Sequence, residues 1–326
     1  MIEHKTVLVL GAGASKPFGF PIGLDLKEEI LITLKEKRNK ILEGLGNPNL
    51  IRSFIDKLSI APEYSIDAFL ETQSDPVIID FGKLAIAAIL LPHEQEKFLF
   101  NNYQGRGEEK EYFNWYRHLW NEMKTSFDDF EKNLSIITFN YDRSLEHFLY
   151  RVLKQKNPGK KDEEYKKKLG NIPIIHVYGK LGYLPWDCPE EERPVPYDYN
   201  WDYIDRDCVR ICEQEEFIEN AASKIQIIHE NEKIKDEELI RLTLKNTKRI
   251  YFLGFGFNQI NMDRILGDIK RSDCEIKGTI YKMSLKSKNI AQKRLHTFKN
   301  HDRWRFFDHF YTDTTIYDLL YNRVIL

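Results

Sequence analysis

Four short stretches of this sequence place glycine or polar residues directly after an apolar run, and each could contribute to chemistry. The first is Gly11-Ala-Gly-Ala-Ser15, which follows Thr6–Leu10 (TVLVL). Glycines after a buried strand allow a tight turn whose backbone N–H groups approach a phosphate. The dinucleotide fingerprint GxGxxG would need a glycine at position 16, where the chain has Lys16. The stretch therefore predicts a phosphate-binding turn or a plain strand-to-helix turn, and not the usual turn of a dehydrogenase.

Two polar residues stand at the end of the second apolar run, Leu134–Phe139 (LSIITF). Asn140 and Asp142 in TFNYD would lie at the carboxyl end of a buried strand, where doubly wound folds bind their ligands. Asp142 also suits the N-cap of the helix that begins RSLEHF, which is a purely structural role. Capping does not account for Asn140, whose side chain suits recognition of an amide or a ribose.

A histidine and a second glycine turn follow two further apolar runs. His176 in HVYG comes directly after Ile172–Ile175 (IPII). Because histidine titrates near neutrality, His176 suits the role of general base, with a structural histidine as the alternative. Gly254 and Gly256 in FLGFGF, with Asn258 just beyond, would line the other side of a nucleotide cleft or form a packing turn.

The runs before these motifs are short, apolar and β-branched, which is typical of strands buried on both faces of a parallel sheet. The predicted strands are Thr6–Leu10, Leu134–Phe139, Ile172–Ile175, Ile250–Leu253 and Ile276–Leu285, with a weaker one at Trp304–Phe307. Helical patterns separate them, at about 24–38, 76–91, 109–124, 142–154, 213–229, 235–246, 261–271 and 287–298. This alternation predicts an α/β fold with a Rossmann-like, doubly wound parallel sheet, whose strand ends bring the four motifs to one edge.

The spacing of the strands is uneven, because a long interval separates the first two. That interval looks helical, and Ser65 is a suitable N-cap for SIDAFLETQ. We therefore expect a large helical insertion after the first strand, at about 25–130, within a single domain that covers residues 1–326. Residues 185–208 are rich in proline, aspartate and aromatic residues and are expected to form an ordered loop near a site.

Composition narrows the class of protein. The 326 residues carry a formal net charge of −2 at pH 7, which does not favour nucleic-acid binding by bulk electrostatics. The lysines of Lys154–Lys168 are interrupted by acidic residues, so this run is expected to be a solvated loop and not a nucleic-acid patch. The longest apolar stretch, Leu84–Leu91, is far short of the ~20 residues that span a bilayer and is expected to be a buried helix that stops before Pro92. Four cysteines without a CxxC pair suit a reducing cytoplasm and argue against a zinc module.

In their order, GAGAS, TFNYD, HVYG and GFGF resemble the sirtuin-fold NAD-binding domain. The sirtuin pattern is a GAG-x-S turn, an Asn-x-Asp signature after a strand, a His-Gly after the next strand and a later glycine turn. The segments FPIG, SIDAFLE and FNYDRSLE are more similar to the bacterial sirtuin-like NADases of antiphage defence than to deacylases. Two departures argue against a deacylase: the zinc-binding CxxC pairs are missing, and FPIGLDL replaces the GIPDFR-type segment.

The resemblance implies hydrolysis of NAD+ at the nicotinamide–ribose bond, with NAD+ as substrate and no zinc. It implies that Asn140 holds the ribose or the water, that Asp142 orients the carboxamide end and that His176 is the general base. The implied pyrophosphate contacts come from Gly11, Ala12, Gly13 and Ser15, and the implied adenosine contacts from Gly254, Gly256 and Asn258. Asp25 and Asp67 are weaker candidates, each also placed as an N-terminal helix residue.

Unregulated hydrolysis of NAD+ would be toxic to the cell, so an enzyme of this kind must stay inactive until a trigger activates it. We expect an external one, a partner protein or a nucleotide signal, with assembly as a homo-oligomer or hetero-complex in the cytoplasm and no membrane or direct nucleic-acid contact. The first alternative is a non-catalytic module that binds NAD+ or ADP-ribose as a sensor. A zinc-free deacylase is a second alternative, and a dehydrogenase, which Lys16 disfavours, is a third.

Overall fold

A parallel sheet of six strands forms the centre of the protein, as described by a computed structural model. The structure describes residues 2–36, 40–100, 114–201, 208–227, 236–266, 274–281, 283–298, 311–312 and 315–322. The strands are β1 (Thr6–Leu10), β2 (Leu134–Thr138), β3 (Ile174–His176), β4 (Arg249–Leu253), β5 (Glu275–Thr279) and β6 (Tyr311–Thr312). Their spatial order is β3-β2-β1-β4-β5-β6, and every ladder is parallel.

This strand order is that of the doubly wound dinucleotide-binding fold, with β1 and β4 on either side of the point where the order reverses. All five residues of β1 are buried, because β1 pairs with β2 along one edge and with β4 along the other. The fold class predicted from the sequence, a Rossmann-like α/β sheet with a large helical insertion, is confirmed.

Two strand boundaries differ from the prediction. The third strand begins at Ile174, because Pro173 has no N–H for the ladder and contributes only its carbonyl, which accepts from Ile136 N at 2.8 Å. The fifth strand ends at Thr279 and a helix begins at Leu285, so the strand predicted over Ile276–Leu285 was too long. Strand β6 was not predicted, and the weaker candidate at Trp304–Phe307 lies outside the described residues.

The insertion between β1 and β2 is mainly helical in its described part. Ser65 Oγ accepts from Ala68 N at 3.2 Å, as expected of an N-cap. Asn47 and Asp75 cap two further helices in the same way. The helices are α1 (Gly23–Lys35), α2 (Lys40–Leu45), α3 (Pro48–Ile60), α4 (Ile66–Glu71), α5 (Pro76–Leu90), α6 (Glu96–Phe100) and α7 (Trp115–Glu122).

The later helices connect the remaining strands. They are α8 (Ser144–Lys156), α9 (Asp162–Leu169), α10 (Cys208–Ser223), α11 (Glu237–Lys245), α12 (Gln259–Leu266), α13 (Leu285–Phe298) and α14 (Ile316–Asn322). The prediction of a loop for the lysine-rich run is wrong in its second half, which forms helix α9 because Tyr165 and Leu169 are buried. The first turn of α9 is acidic and its last turn is basic. This order complements the helix dipole.

The most apolar helix, α5, lies in the core. Within the described residues, Pro76–His93 is the one helical segment long and apolar enough to cross a membrane, and more than half of it is buried inside the protein. The α-helix ends at Leu90 and continues as a 3-10 turn around Pro92, as the sequence predicted. Its burial identifies it as a core helix of this fold.

A fully buried ion pair connects the insertion to the start of α8. Arg143 donates to both carboxylate oxygens of Glu94, and the two side chains are 0% and 1% exposed. Arg143 also donates through Nη1 to the Val195 carbonyl at 2.8 Å. Burial raises the pKa of Glu94, although the guanidinium opposes this rise. The pair therefore links three separate segments of the chain in a place that excludes water.

Candidate functional site

The two glycine turns pack directly against each other at the carboxyl ends of β1 and β4. Gly11 N donates to Leu253 O at 3.1 Å, and Gly13 N donates to Gly254 O at 3.0 Å. A Cβ on Gly254 would lie 2.2 Å from Ala14 N, and Gly254 has a φ of +58°, in the left-handed region. The need for glycine at these positions therefore comes from the close approach of one turn to the other.

The first turn has fewer N–H groups for a ligand than the sequence suggested. Gly11 and Gly13 use theirs on the second turn, while Ala14 N donates to Gly11 O and Ser15 N donates to Ala12 O within a 3-10 turn. Within the described part of the chain, the Ala12 N–H has no acceptor. A phosphate held by the N–H groups of the whole turn, as the resemblance implied, is therefore corrected to one that Ala12 can contact.

A cavity of about 450 Å³ opens beside these turns, and we call it the switch-point cavity. It lies where ligands bind in doubly wound folds and within the roughly 300–1,000 Å³ range of small-molecule sites. Its wall is mainly apolar and aromatic. The lining residues include Ala12, Gly13, Lys16, Pro17, Ile22, Trp115, Gly254, Phe255, Gly256, Thr279, Tyr281, Ile316 and Tyr317.

Lys16 brings a positive charge to this cavity. Its side chain is exposed, and no carboxylate among the described residues pairs with it. Gly256 also lines the cavity, and a Cβ there would meet nothing within 4 Å, so a ligand has room beside it. The residue that broke the dehydrogenase fingerprint is thus the cation of the pocket. An ammonium group with space around it suits a phosphate.

A buried polar network lies on the other side of β1. Asn140 Nδ2 donates to Gly11 O at 3.0 Å and to Ser15 Oγ at 2.9 Å. Ser15 Oγ in turn donates to Asp142 Oδ2 at 2.6 Å. Asp142 Oδ1 accepts from both the backbone N–H and the hydroxyl of Ser144. Three predicted site residues, Asn140, Asp142 and Ser15, are therefore brought together, although they do not line the switch-point cavity.

Asp142 lies one residue before Arg143, which is the N-cap of α8, so it is not the N-cap that the sequence predicted, and its role in a site stays a prediction. Its bond from Ser144 N satisfies a donor in the first turn of α8, as a capping carboxylate does. Its bond from Ser15 connects it to the glycine turn. Burial raises the pKa of Asp142, while the hydrogen bonds from Ser144 and Ser15 oppose the rise. A buried carboxyl with these properties is a functional-site candidate.

His176 is engaged at both ring nitrogens. Nδ1 lies 2.9 Å from Asn140 O and Nε2 lies 2.7 Å from Glu146 Oε1. Both partners are acceptors, so the ring donates both bonds only when each nitrogen carries a proton. Burial alone would raise the pKa of Glu146, but the charge and hydrogen bond of His176 lower it below the ordinary value. His176 therefore connects the Asn140 backbone carbonyl to Glu146 through its two ring nitrogens, and its role as general base stays a prediction.

This ion pair gives a pH prediction. Because the folded-state pKa of Glu146 is lowered, its stabilisation is present above the unfolded-state pKa and is lost as the pH falls through the folded one. We expect Glu146→Gln to lower the free energy of unfolding by about 1–3 kcal/mol at pH 7. The difference from wild type should shrink steadily below pH 4.5. Urea titrations at several pH values measure it, with the exposed Glu191→Gln as control. A difference that stays constant down to pH 3 would contradict the ion pair.

Tyr178, which the sequence reading passed over, occupies the place directly before Gly179. Its hydroxyl donates to Asn261 Oδ1 at 2.6 Å and accepts from Arg264 Nη1. Arg264 also donates to Glu71 Oε1 at 2.9 Å, and both side chains are less than a tenth exposed. The His-Gly of the sirtuin pattern is therefore not kept residue for residue, because a tyrosine precedes the glycine here. The position next to Gly179 was the signal that could have indicated Tyr178.

The weaker candidates have structural positions. Asp67 lies in the first turn of α4 and accepts from Tyr141 OH, and burial raises its pKa. Asp25 is exposed in the first turn of α1. Asn258 is exposed, and its Oδ1 accepts from Asn261 N at 2.8 Å. The structure thus places Asn258 at the start of α12 as a helix cap, and not on the cavity wall that the resemblance implied.

No protein family matches this chain, and no curated protein is significantly similar to it. In the part of the chain that the structure describes, no three His, Cys, Asp or Glu side chains converge in a way that could hold a metal ion. The arrangement is therefore read from its own geometry: a cavity of small-molecule size, with Lys16 as the cation among its described lining residues, next to a buried network built on Asn140 and Asp142.

Proposed function

We propose that this protein binds NAD+ in the switch-point cavity and hydrolyses its nicotinamide–ribose bond to nicotinamide and ADP-ribose. The observation that carries the proposal is the position of the cavity. It lies at the reversal of strand order and is lined by Lys16, while the same glycine turn contacts Asn140 on its other side. A single extended ligand could therefore reach from an apolar pocket to a polar network.

Two features of the switch-point cavity support the proposed binding of NAD+. The aromatic and aliphatic wall suits a nucleobase. The Lys16 ammonium, with the N–H of Ala12 and the open space at Gly256, suits the pyrophosphate. Asn258 has no part in this scheme, because its side chain caps α12.

The proposed hydrolysis requires few catalytic groups from the protein, because the leaving group is already a good one. Cleavage of the glycosidic bond forms a sugar cation of the oxocarbenium type, and nicotinamide leaves as a neutral molecule. The remaining tasks are positioning the ribose and directing a water to it. Asn140 suits both tasks, since its Nδ2 is fixed by Gly11 and Ser15 and no described group donates to its Oδ1. Asp142, with its raised pKa, is the nearest carboxyl that could accept a proton through Ser15.

The test is incubation of the purified protein with NAD+, alone and with candidate triggers, followed by measurement of free nicotinamide. We expect Asn140→Ala to lower turnover by roughly 100-fold, the cost of losing one directing group at a reacting centre. Asn49→Ala, an exposed asparagine on α3, is the matched control and should turn over like wild type. Melting temperatures of both variants separate lost chemistry from lost folding. Full turnover by a folded Asn140→Ala protein would refute the assignment.

A sensor that binds NAD+ or ADP-ribose without cleaving it is the second candidate. The observation in its favour is that both nitrogens of His176 are bonded, so this ring offers no lone pair to a water. Calorimetry distinguishes the two candidates. Tight NAD+ binding with no nicotinamide release under any trigger would favour the sensor, whereas release that follows binding favours the enzyme.

The biological setting is also a proposal, based on the resemblance to sirtuin-like NADases of antiphage defence. We propose a cytoplasmic effector that is inactive until a partner protein or nucleotide signal activates it, in a homo-oligomer or hetero-complex. The bonded His176 supports a need for activation, because both of its ring nitrogens are engaged, one by the Asn140 carbonyl and the other by Glu146. Size-exclusion chromatography with and without triggers tests the assembly.

A further inference from the structure

A second cavity, of about 340 Å³, lies behind β3 and between α8, α9 and the segment 180–187. We call it the β3 cavity and define it by Glu146, Lys166, Lys180, Trp186 and Asp187, with an apolar remainder. It is separate from the switch-point cavity and shares none of its lining residues. Nothing in the proposed hydrolysis uses it.

The charges of the β3 cavity favour an anion. Lys166 Nζ lies 3.6 Å from Asp187 Oδ1, and Lys180 Nζ lies 3.2 Å from Asp187 Oδ2, so two ammonium groups share one carboxylate. The other carboxylate, Glu146, is paired with His176. Two lysines therefore converge on a single carboxylate, Asp187, while the second lining carboxylate, Glu146, is engaged by His176 from outside the cavity.

Trp186, one of the residues that line the cavity, carries an unsatisfied donor on a flat ring. Trp186 Nε1 is buried and has no hydrogen-bond partner in the described part of the chain. Its indole stacks on Tyr150, with ring centroids 4.8 Å apart and planes 7° apart, so the orientation of the ring is fixed. An unpaired buried N–H is costly and requires an explanation, and a ligand acceptor would supply one.

We propose that the β3 cavity is a binding site for a small aromatic anion, which carries a phosphate or a carboxylate. The anionic group contacts the ammonium groups of Lys166 and Lys180, an acceptor on the ligand takes the Trp186 N–H, and the aromatic body packs against the apolar wall. Strongly hydrated lysine ammoniums accept either anion, so the two sources are distinguished by experiment.

The site is connected to Asn140 by two hydrogen bonds. Glu146 lines the β3 cavity and accepts from His176 Nε2, and His176 Nδ1 donates to the Asn140 carbonyl. A bound anion repels the Glu146 carboxylate and competes with it for Lys180, which weakens the hold on His176. The binding part of this inference stands alone, whereas its regulatory part rests on the proposed hydrolysis.

The experiment follows the indole N–H resonance of Trp186 in the full-length protein labelled with ¹⁵N-tryptophan, assigned by Trp186→Phe. AMP and benzoate are the aromatic probes for phosphate and carboxylate, and inorganic phosphate is the anion without a ring. We expect AMP or benzoate to shift this resonance saturably, at about ten-fold lower concentration than inorganic phosphate. The probe that binds identifies the anion. No NAD+ turnover is needed, so failure here is distinct from failure of the proposed function.

Lysine variants test whether the probes bind in the β3 cavity. Lys180→Gln and Lys166→Gln should each weaken probe binding by roughly ten-fold, the loss of one charge-assisted contact. Lys168→Gln is the matched control, because this lysine of the same helix lies over the Phe127 ring instead. The proposal is overturned if neither aromatic probe shifts the resonance at millimolar concentration. It is equally overturned if the lysine variants bind the probes as well as Lys168→Gln does.

Discussion

Gly254→Ala should destabilise the protein by about 2–5 kcal/mol and abolish ligand binding in the switch-point cavity. Placing a side chain at a φ of +58° costs about 1–2 kcal/mol, and overpacking a close contact adds about 1–3 kcal/mol. The new methyl group would lie 2.2 Å from Ala14 N and 2.3 Å from Gly13 C. Because both atoms belong to backbone, no side-chain rotation can relieve the contact, and the two turns must separate.

Gly256→Ala is the matched control, two residues away on the same turn. Its Cβ would meet nothing within 4 Å, so we expect wild-type stability and at most a modest effect on a ligand. Urea denaturation gives the free energy of unfolding, and calorimetry with NAD+ gives the binding. If the two alanine variants prove equally stable, the glycine turns do not pack as described.

Arg143→Met should cost about 3–5 kcal/mol, because it leaves the Glu94 carboxylate buried without its partner. Glu94 already has a raised pKa from burial, so removing the guanidinium raises it further and forces the carboxyl toward the neutral form. The double variant Arg143→Met, Glu94→Gln should recover much of the loss, since no charge is then buried. Recovery will be incomplete, because the bond to Val195 O is also lost.

Chemical denaturation of the two single variants and the double variant completes the thermodynamic cycle. The exposed pair of Arg241 and Glu238 provides the comparison, and Arg241→Met should leave the denaturation midpoint unchanged. A double variant that is no more stable than Arg143→Met would mean that the ion pair is not the source of the loss.

The strands could be predicted because parallel strands buried on both faces appear as short apolar runs. Thr6–Leu10 was predicted to the residue. The third strand was misplaced by Pro173, whose effect on the ladder depends on which neighbour it faces. The two-residue strand Tyr311–Thr312 is too short to give any periodic signal. Helix α9 was hidden by its charge, since only Tyr165 and Leu169 are buried.

The sequence was sufficient to predict which residues form the candidate site, but not most of the contacts between them. Asn140, Asp142 and Ser15 come together because parallel strand ends meet at one edge of the sheet. The partner of His176 could not be predicted, because Glu146 comes from a helix whose rotation about its axis depends on tertiary packing. The side chains of His176 and Tyr178 also have different partners, and these could not be predicted for a similar reason. The chain turns through Gly179 at a φ of +75°, and Arg264 arrives from a distant helix.

The central position of β1 also has a consequence for how the chain is made. Both partners of Thr6–Leu10 come late in the sequence, at Leu134–Thr138 and Arg249–Leu253. At about 5–20 residues per second, β1 leaves the ribosome on the order of ten seconds before its first partner strand, β2. During that interval its apolar surface must be covered by the helices of the insertion or by a chaperone. The insertion can thus protect the newly synthesised strand until the sheet assembles around it.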